Sequence, residues 1–302
     1  MDGSLTMKTV TVVITCYNYA KYVAAAIRSC QEQTYPVAEI IVVNDGSTDE
    51  SETIIQGFLS DPRIQYVFQS NQGQTKAKNV GIARSTADVI AFLDADDFWE
   101  NDKLAKQLPL FDDPQVGVVY SRARFIDEDS QALDMKVDSA PLFPQRGWVS
   151  DPLFVDNFVP FSSAVVRRTC VDHLGVFDES LRMGIDWDLW LRYSTAWRFD
   201  FVDEPLLVYR VGHPGQMSKN AEERMRCSDR IMQNFLQRFP QAVSARACRK
   251  AAAYTCVNRG KYYAQNDRWH ALRYYLQSIW TRPLQKAAYG ALLRLVCRLP
   301  SG

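Results

Sequence analysis

The sequence predicts an α/β protein, a mostly parallel sheet flanked by helices, followed by a helical extension at the C-terminus. Short β-branched apolar runs alternate with helix-spaced segments through the first part of the chain. Polar residues gather wherever those runs end. After residue 218 strand signals cease and helical ones continue to the end.

Thr9–Thr15 (TVTVVIT) is apolar and β-branched, as in a strand buried on both faces. Tyr22 to Gln33 has helical spacing and stops before Pro36. Glu39–Val43 is a second buried strand that breaks at Asn44-Asp45-Gly46-Ser47, where Ser47 or Thr48 can cap a helix to about Leu59. Ile64–Phe68 reads as a strand, Thr75–Ala83 as a helix and Val89–Leu93 as a strand. Right-handed crossovers make such β-α-β strands parallel, and ligands collect beyond their carboxyl ends. Here those ends are Thr15–Asn18, Asn44–Asp49 and Asp94–Asp97, all polar and all on one rim.

The next stretch is less regular. Val116–Tyr120 and Ala164–Arg167 read as strands, Asp186–Ser194 as a helix, and Phe199–Arg210 as a strand interrupted at Pro205; Pro141 and Pro144 mark a loop. Helices follow near 221–238, 244–264 and 266–280. A last one runs from Leu284 to Leu299, with Leu284, Ala288, Leu292 and Leu295 on one side and Lys286, Arg294 and Arg298 elsewhere. It reads either as a basic amphipathic helix in a membrane interface or as a helix packed on its neighbours. The chain thus divides at 1–115, 116–218 and 219–302.

At 302 residues, 47% apolar and 23% charged, the chain can bury a full core. Its balanced charge hides an asymmetry. Residues 241–302 hold 11 Lys/Arg and one acid, leaving 24 basic against 34 acidic residues before them. Such a tail suits an anionic partner, either a phospholipid surface or the protein's own acidic face; no nucleic-acid partner is expected. Seven scattered cysteines without Cys-x-x-Cys spacing suggest reduced thiols and a cytoplasmic setting. The first eight residues lack a signal pattern, and no segment approaches the ~18 uncharged apolar residues of a membrane span.

Asp94, Ala95, Asp96 and Asp97 close the apolar run Ile90–Leu93. Alternation points Asp94 and Asp96 the same way, and two like charges so close call for a cation, Mg²⁺ or Mn²⁺, unless the strand merely ends in a solvated turn. Asp45, before the turn-forming Gly46, can accept hydrogen bonds from a planar NH group such as uracil, or can simply cap a helix. Thr15, Tyr17 and Asn18 can hold a base or ribose, or only turn the chain. Lys78 meets a phosphate or lies on a solvated face. Asp186, at a helix start, is a cap or a general base; Asp188 can pair with Arg192. Trp148, Phe158, Phe161 and Trp187 offer faces to a sugar or belong to the core. Arg210 and His213 reach a diphosphate or a metal, or neither.

Together TVVITCYNYAKYV, IIVVNDGSTD, NQGQTKAKNVGIA, VIAFLDADDFW, GVFDESL, IDWDLWLR and YRVGHPGQMS resemble glycosyltransferase family 2, over about residues 8–218. The resemblance implies a GT-A fold and a metal-dependent, inverting transferase using a nucleotide-sugar donor, UDP-linked, in bacterial cell-surface polysaccharide or lipopolysaccharide synthesis. The acceptor is then a saccharide or lipid-linked saccharide. On that reading Asp45 binds uracil, and Thr15, Tyr17 and Asn18 form the first nucleotide-contacting turn. Lys78, Asp94, Ala95 and Asp96 meet the diphosphate, and Asp94 and Asp96, with His213, hold a divalent cation. Asp186 is the base, with Trp187 and Arg210 on the acceptor side. Two departures stand out: Ile185 replaces a common Glu, and Lys78 a common Arg, keeping charge without the planar fork. A dehydrogenase is disfavoured because no G-x-G-x-x-G follows the first strand. A nucleotidyltransferase would show a Gly- and basic-rich loop there. A non-catalytic sugar-nucleotide-binding scaffold is the remaining alternative.

Overall fold

The computed structural model describes residues 7–134, 144–213 and 220–297. Pro141, residues 214–218 of the segment after Tyr209, and Leu299 lie outside the described residues. Among the described residues the chain forms two compact units, one from Met1–Val149 with Phe158–Cys227, the other from Ser150–Asn157 with Ser228–Gly302.

In the first unit, β1 (Val10–Cys16), β2 (Glu39–Asn44), β3 (Ile64–Phe68) and β4 (Val89–Asp94) form a parallel sheet in the order β3-β2-β1-β4. Their near-continuous apolar runs reflect burial on both sides. Val10, Val12, Ile14, Val42 and Leu93 share a core with Val23, Ala26 and Ile27 of α1 (Val23–Gln31). Ile41, Val43 and Val67 meet Ala77 of α3 (Gln74–Arg84) on the other face.

Between these lies α2 (Ser51–Gln56), shorter than its sequence suggests. Ser47 and Thr48 do not cap it. The Ser47 Oγ accepts from the Asn18 N–H and the Thr48 N–H donates to Asn18 Oδ1, so both tie the β2 exit to the β1 exit.

Beyond β4 the sheet is mixed. It continues through β8 (Val165–Arg167, antiparallel to β4), β6 (Val116–Ile126), β9 (Arg198–Arg210, parallel to β6) and the two-residue β5 (Phe98–Trp99); β7 (Ala132–Leu133) pairs with β6. Pro205 does not break β9. Register shifts opposite Arg122 absorb it, consistent with the rule that proline enters strands at bulges. β6 extends six residues past Tyr120, where Arg122 and Arg124 pair with Asp203 and Glu100. Short α4 (Lys103–Gln107), α5 (Ser150–Val155) and α6 (Arg168–Leu174) complete the irregular stretch before α7 (Ile185–Ser194) and α8 (Ala221–Arg238).

The second unit contains α5, α9 (Ala245–Tyr263), α10 (Arg268–Thr281) and α11 (Lys286–Cys297). Ser244 caps α9 and Asp267 caps α10, each accepting from a backbone N–H three residues on. Ala271, Tyr275 and Ala291 form its small core, with Leu292 and Leu295 packed against them. No helix among the described residues is long and apolar enough to cross a membrane.

Candidate active site

The carboxyl end of β4 carries Asp94, Ala95, Asp96 and Asp97, and each carboxylate has its own partner. Lys78 extends from α3 to place Nζ 2.5 Å from Asp94 Oδ1 and 3.1 Å from the Thr15 hydroxyl of β1. The ammonium is 3% exposed and lies 4.5 Å from the centre of the Phe161 ring, a cation–π contact. Asp96 Oδ2 lies 2.8 Å from His213 Nε2. The His213 ring is buried against Tyr19 and Tyr22, at 5.7 and 5.5 Å between centroids. Asp97 turns inward, where its Oδ2 accepts from the Ser162 hydroxyl at 2.5 Å and its Oδ1 from the Arg210 backbone N–H at 3.0 Å. Burial, then the Asp96 and Asp94 charges, hold the Asp97 carboxyl well above the usual range. Burial also raises Asp94, with the Lys78 charge opposing it. Asp97 therefore ties the rim to β9.

Arg210 is 4% exposed, its guanidinium 4.5 Å from the Tyr22 ring. It donates to the carbonyls of Asp96 and Asp127 at 3.2 and 2.8 Å and to the Ser130 hydroxyl. Those bonds hold the Asp96 backbone in place.

Asp45 is 3% exposed at the end of β2, and both its oxygens accept: Oδ1 from Gln69 Nε2 and the Gln72 N–H, Oδ2 from the Gly73 N–H, at 2.7 to 2.9 Å. It thereby fixes the loop that enters α3. Gly46 has φ +73, and a Cβ there would sit 2.7 Å from the Asn71 nitrogen, so only glycine lets loop and turn approach this closely. Tyr17 is exposed on the rim, and Asn18 is in the left-handed region at φ 58.

Asp186 and Trp187 arrive in the first turn of α7, after Gly184 at φ 69. Trp190 seats that helix on β4, its ring 6.4 Å from Phe92 and 6.4 Å from Phe161. The loop before α7 is bonded to α3: Asn79 exchanges hydrogen bonds with the Phe177 backbone at 3.0 Å each, and Thr75 donates to the Leu181 carbonyl. Asp188 pairs with Arg192 at 2.9 Å, and Arg192 also donates to the carbonyls of Leu174 and Val176. Ile185, which replaces the Glu common in the resembled family, is buried; a carboxylate there would be desolvated. Trp148 is exposed and Phe158 is core.

The structure thus joins Thr15, Lys78, Asp94, Ala95, Asp96, Arg210 and His213 in one group. Asp45 acts through the loop leading to Lys78, and Asp186 comes in on a helix resting on the same strand. Tyr19, Tyr22 and Ser162 were missed, because a lone tyrosine or serine carries no spacing signal. The donor set fits a hard or borderline cation. An imidazole and a carboxylate already converge, while among the described residues no three ligand-type side chains gather to form a cage.

The family model for Glycosyl transferase family 2 matches residues 11–173. An uncharacterized glycosyltransferase of Nostoc sp. (strain PCC 7120) is 29% identical over 292 residues, 90% of this chain and 86% of that protein. Chondroitin synthase of Escherichia coli is 28% identical over 206 residues, 68% of this chain but 29% of its own length. Among solved structures, S. aureus TarS 1-349 in complex with UDP superposes with a TM-score of 0.64 at 16% identity, covering 95% of this chain and 88% of that one. A mannosyltransferase from Pyrobaculum calidifontis in complex with GDP-Man and Mn²⁺ gives 0.58 at 18% identity, covering 97% and 88%. At these identities both structures speak for the fold alone. With the family model spanning more than half of the sequence, the chain belongs to glycosyl transferase family 2 and is a glycosyltransferase of the GT-A fold.

Proposed function

We propose that the protein moves a sugar from a nucleoside diphosphate sugar, UDP-linked, to a hydroxyl of a saccharide or lipid-linked saccharide, inverting the anomeric carbon. The observation that carries this reading is the pair of contacts, Lys78–Asp94 and Asp96–His213, side by side at the carboxyl end of β4. The solved complexes of similar fold contain UDP or GDP-Man with Mn²⁺, which supports a nucleotide-sugar donor.

In the step we infer, the acceptor oxygen attacks the anomeric carbon as the carbon–oxygen bond to the diphosphate breaks. The electron pair of that bond leaves with the nucleoside diphosphate. Asp186 takes the hydroxyl proton, which raises the nucleophilicity of the oxygen as it attacks. Asp96 and His213 would hold a divalent cation, with Lys78 neutralising Asp94 beside it. When bound, that cation supplies charge stabilisation to the departing diphosphate. Residues 69–73, held by Asp45, would line the base-recognition side. Trp187, beside Asp186, is assigned to the acceptor.

Two outcomes test these assignments. Chelation with EDTA should lower transfer by ~10²-fold and added Mn²⁺ should restore it; undiminished transfer in chelator rejects the cation. Asp45→Ala should raise the donor KM by ~10-fold with a smaller change in kcat, and should cost ~2 kcal/mol of stability because the Gln72 and Gly73 backbone N–H groups lose the buried carboxylate they donate to. An unchanged donor KM, measured across UDP-sugar concentrations, would separate the 69–73 loop from donor binding.

A further inference from the structure

We propose that the exposed apolar stripes of α10 and α11 dock on an anionic lipid bilayer, with both helices lying at headgroup level. On α10, Trp269 (81% exposed), Leu276 and Trp280 (85%) recur at intervals of seven and four residues, which is a single helical stripe. The buried residues of the same helix, Ala271, Tyr275 and Ser278, fall on another side. Leu284 is exposed in the connection that follows.

On α11 the sequence singles out Ala288, Leu292 and Leu295 as the apolar side, and the structure gives that side to packing. Ala288 is buried, while Leu292 and Leu295 pack on Ala271 and Tyr275. Tyr289, Leu293 and Val296 are nonetheless exposed. The helix is therefore apolar on its packed side and again on its free side, and packing within the unit explains only the first. Exposed apolar stripes on two successive helices mark an interaction surface.

Charge selects the occupant. Residues 268–297 carry Arg268, Arg273, Arg282, Lys286 and Arg294 and no acid at all. A second copy of the same face would bring cation against cation, whereas anionic headgroups would attract every one of them. Tryptophan suits the boundary between headgroup and acyl chain, and long basic side chains can bury their stems while reaching phosphate. No helix among the described residues is both long and apolar enough to cross, so the proposed mode is a surface lying on the bilayer.

The test is co-sedimentation of the full chain with vesicles of phosphatidylcholine containing about a third phosphatidylglycerol, beside vesicles of phosphatidylcholine alone. The full chain should partition to the anionic vesicles and be released by salt. Trp269→Ala/Trp280→Ala, and separately Leu293→Ser/Val296→Ser, should each weaken partitioning by ~10-fold or more with an unchanged melting midpoint. Failure of the unmodified chain to partition overturns the proposal, as does unchanged partitioning of both variants. Light scattering without lipid gives the other overturning result: a dimer that the tryptophan variant splits would make the face a contact between copies. None of these readings depends on sugar transfer, so they stand or fall apart from the proposed reaction.

Discussion

Asp186→Asn is expected to lower sugar transfer by ~10³-fold while leaving nucleotide-sugar affinity where it was, because an amide of the same shape cannot take the acceptor's proton. The substitution leaves the seating of α7 intact. That seating comes from Gly184 in the left-handed region, from Trp190 against Phe92, and from the Asp188–Arg192 pair with its two backbone acceptors. Calorimetric titration with donor and a transfer assay on the same preparation separate the two quantities. Transfer at the wild-type rate would remove Asp186 from the chemistry. Should the unmodified chain bind a nucleotide sugar but turn over none from a broad panel, with or without Mn²⁺, the non-catalytic scaffold reading replaces the enzymatic one.

Lys78→Met should be the most damaging change at the rim, costing ~3 kcal/mol of stability and ~10²-fold in kcat/KM. Methionine preserves the volume of the side chain and its contact with Phe161 but removes the ammonium. Asp94 would then lose its ion-pair partner, and the diphosphate would approach a carboxylate that no ammonium neutralises. Lys78→Arg should recover part of the loss, since the charge returns while the fit under Thr15 does not. Denaturant unfolding and steady-state kinetics read the two effects separately. A methionine variant with wild-type unfolding and wild-type turnover would show that the buried ammonium neither holds Asp94 nor prepares the site.

Much of the first unit is legible along the chain because its strands are short, apolar and buried on both faces. β1 to β4 and the helices α1 and α3 fall within a residue or two of where β-branching, proline and glycine place them. Legibility fails where an element exists only through its partner. β5 is two residues that form a strand because Phe98 and Trp99 pair with Val208 and Leu207. Pro205 signals interruption, yet bulges opposite it keep β9 continuous. The apolar run that predicts β6 stops at Tyr120, yet the strand continues through Arg122 and Arg124, which are ion-paired on its exposed face. Ser47 and Thr48 look like helix caps and bond to Asn18, which only the parallel pairing of β1 and β2 brings near.

Read along the chain alone are the order of β1 to β4 and their helices, the collection of polar residues at the strand ends and the excess of carboxylates at Asp94–Asp97. Those properties are written in periodicity and turn chemistry, which act over a few residues. Which partner each carboxylate has depends on the folded chain. Lys78 goes to Asp94, His213 to Asp96 from 117 residues away, and Ser162 and the Arg210 backbone to Asp97. The folded chain also decides which side of the last helix is left open. Pairing between distant segments depends on strand register and helix packing, which arise from burying the whole core at once and leave no mark in any one stretch of chain.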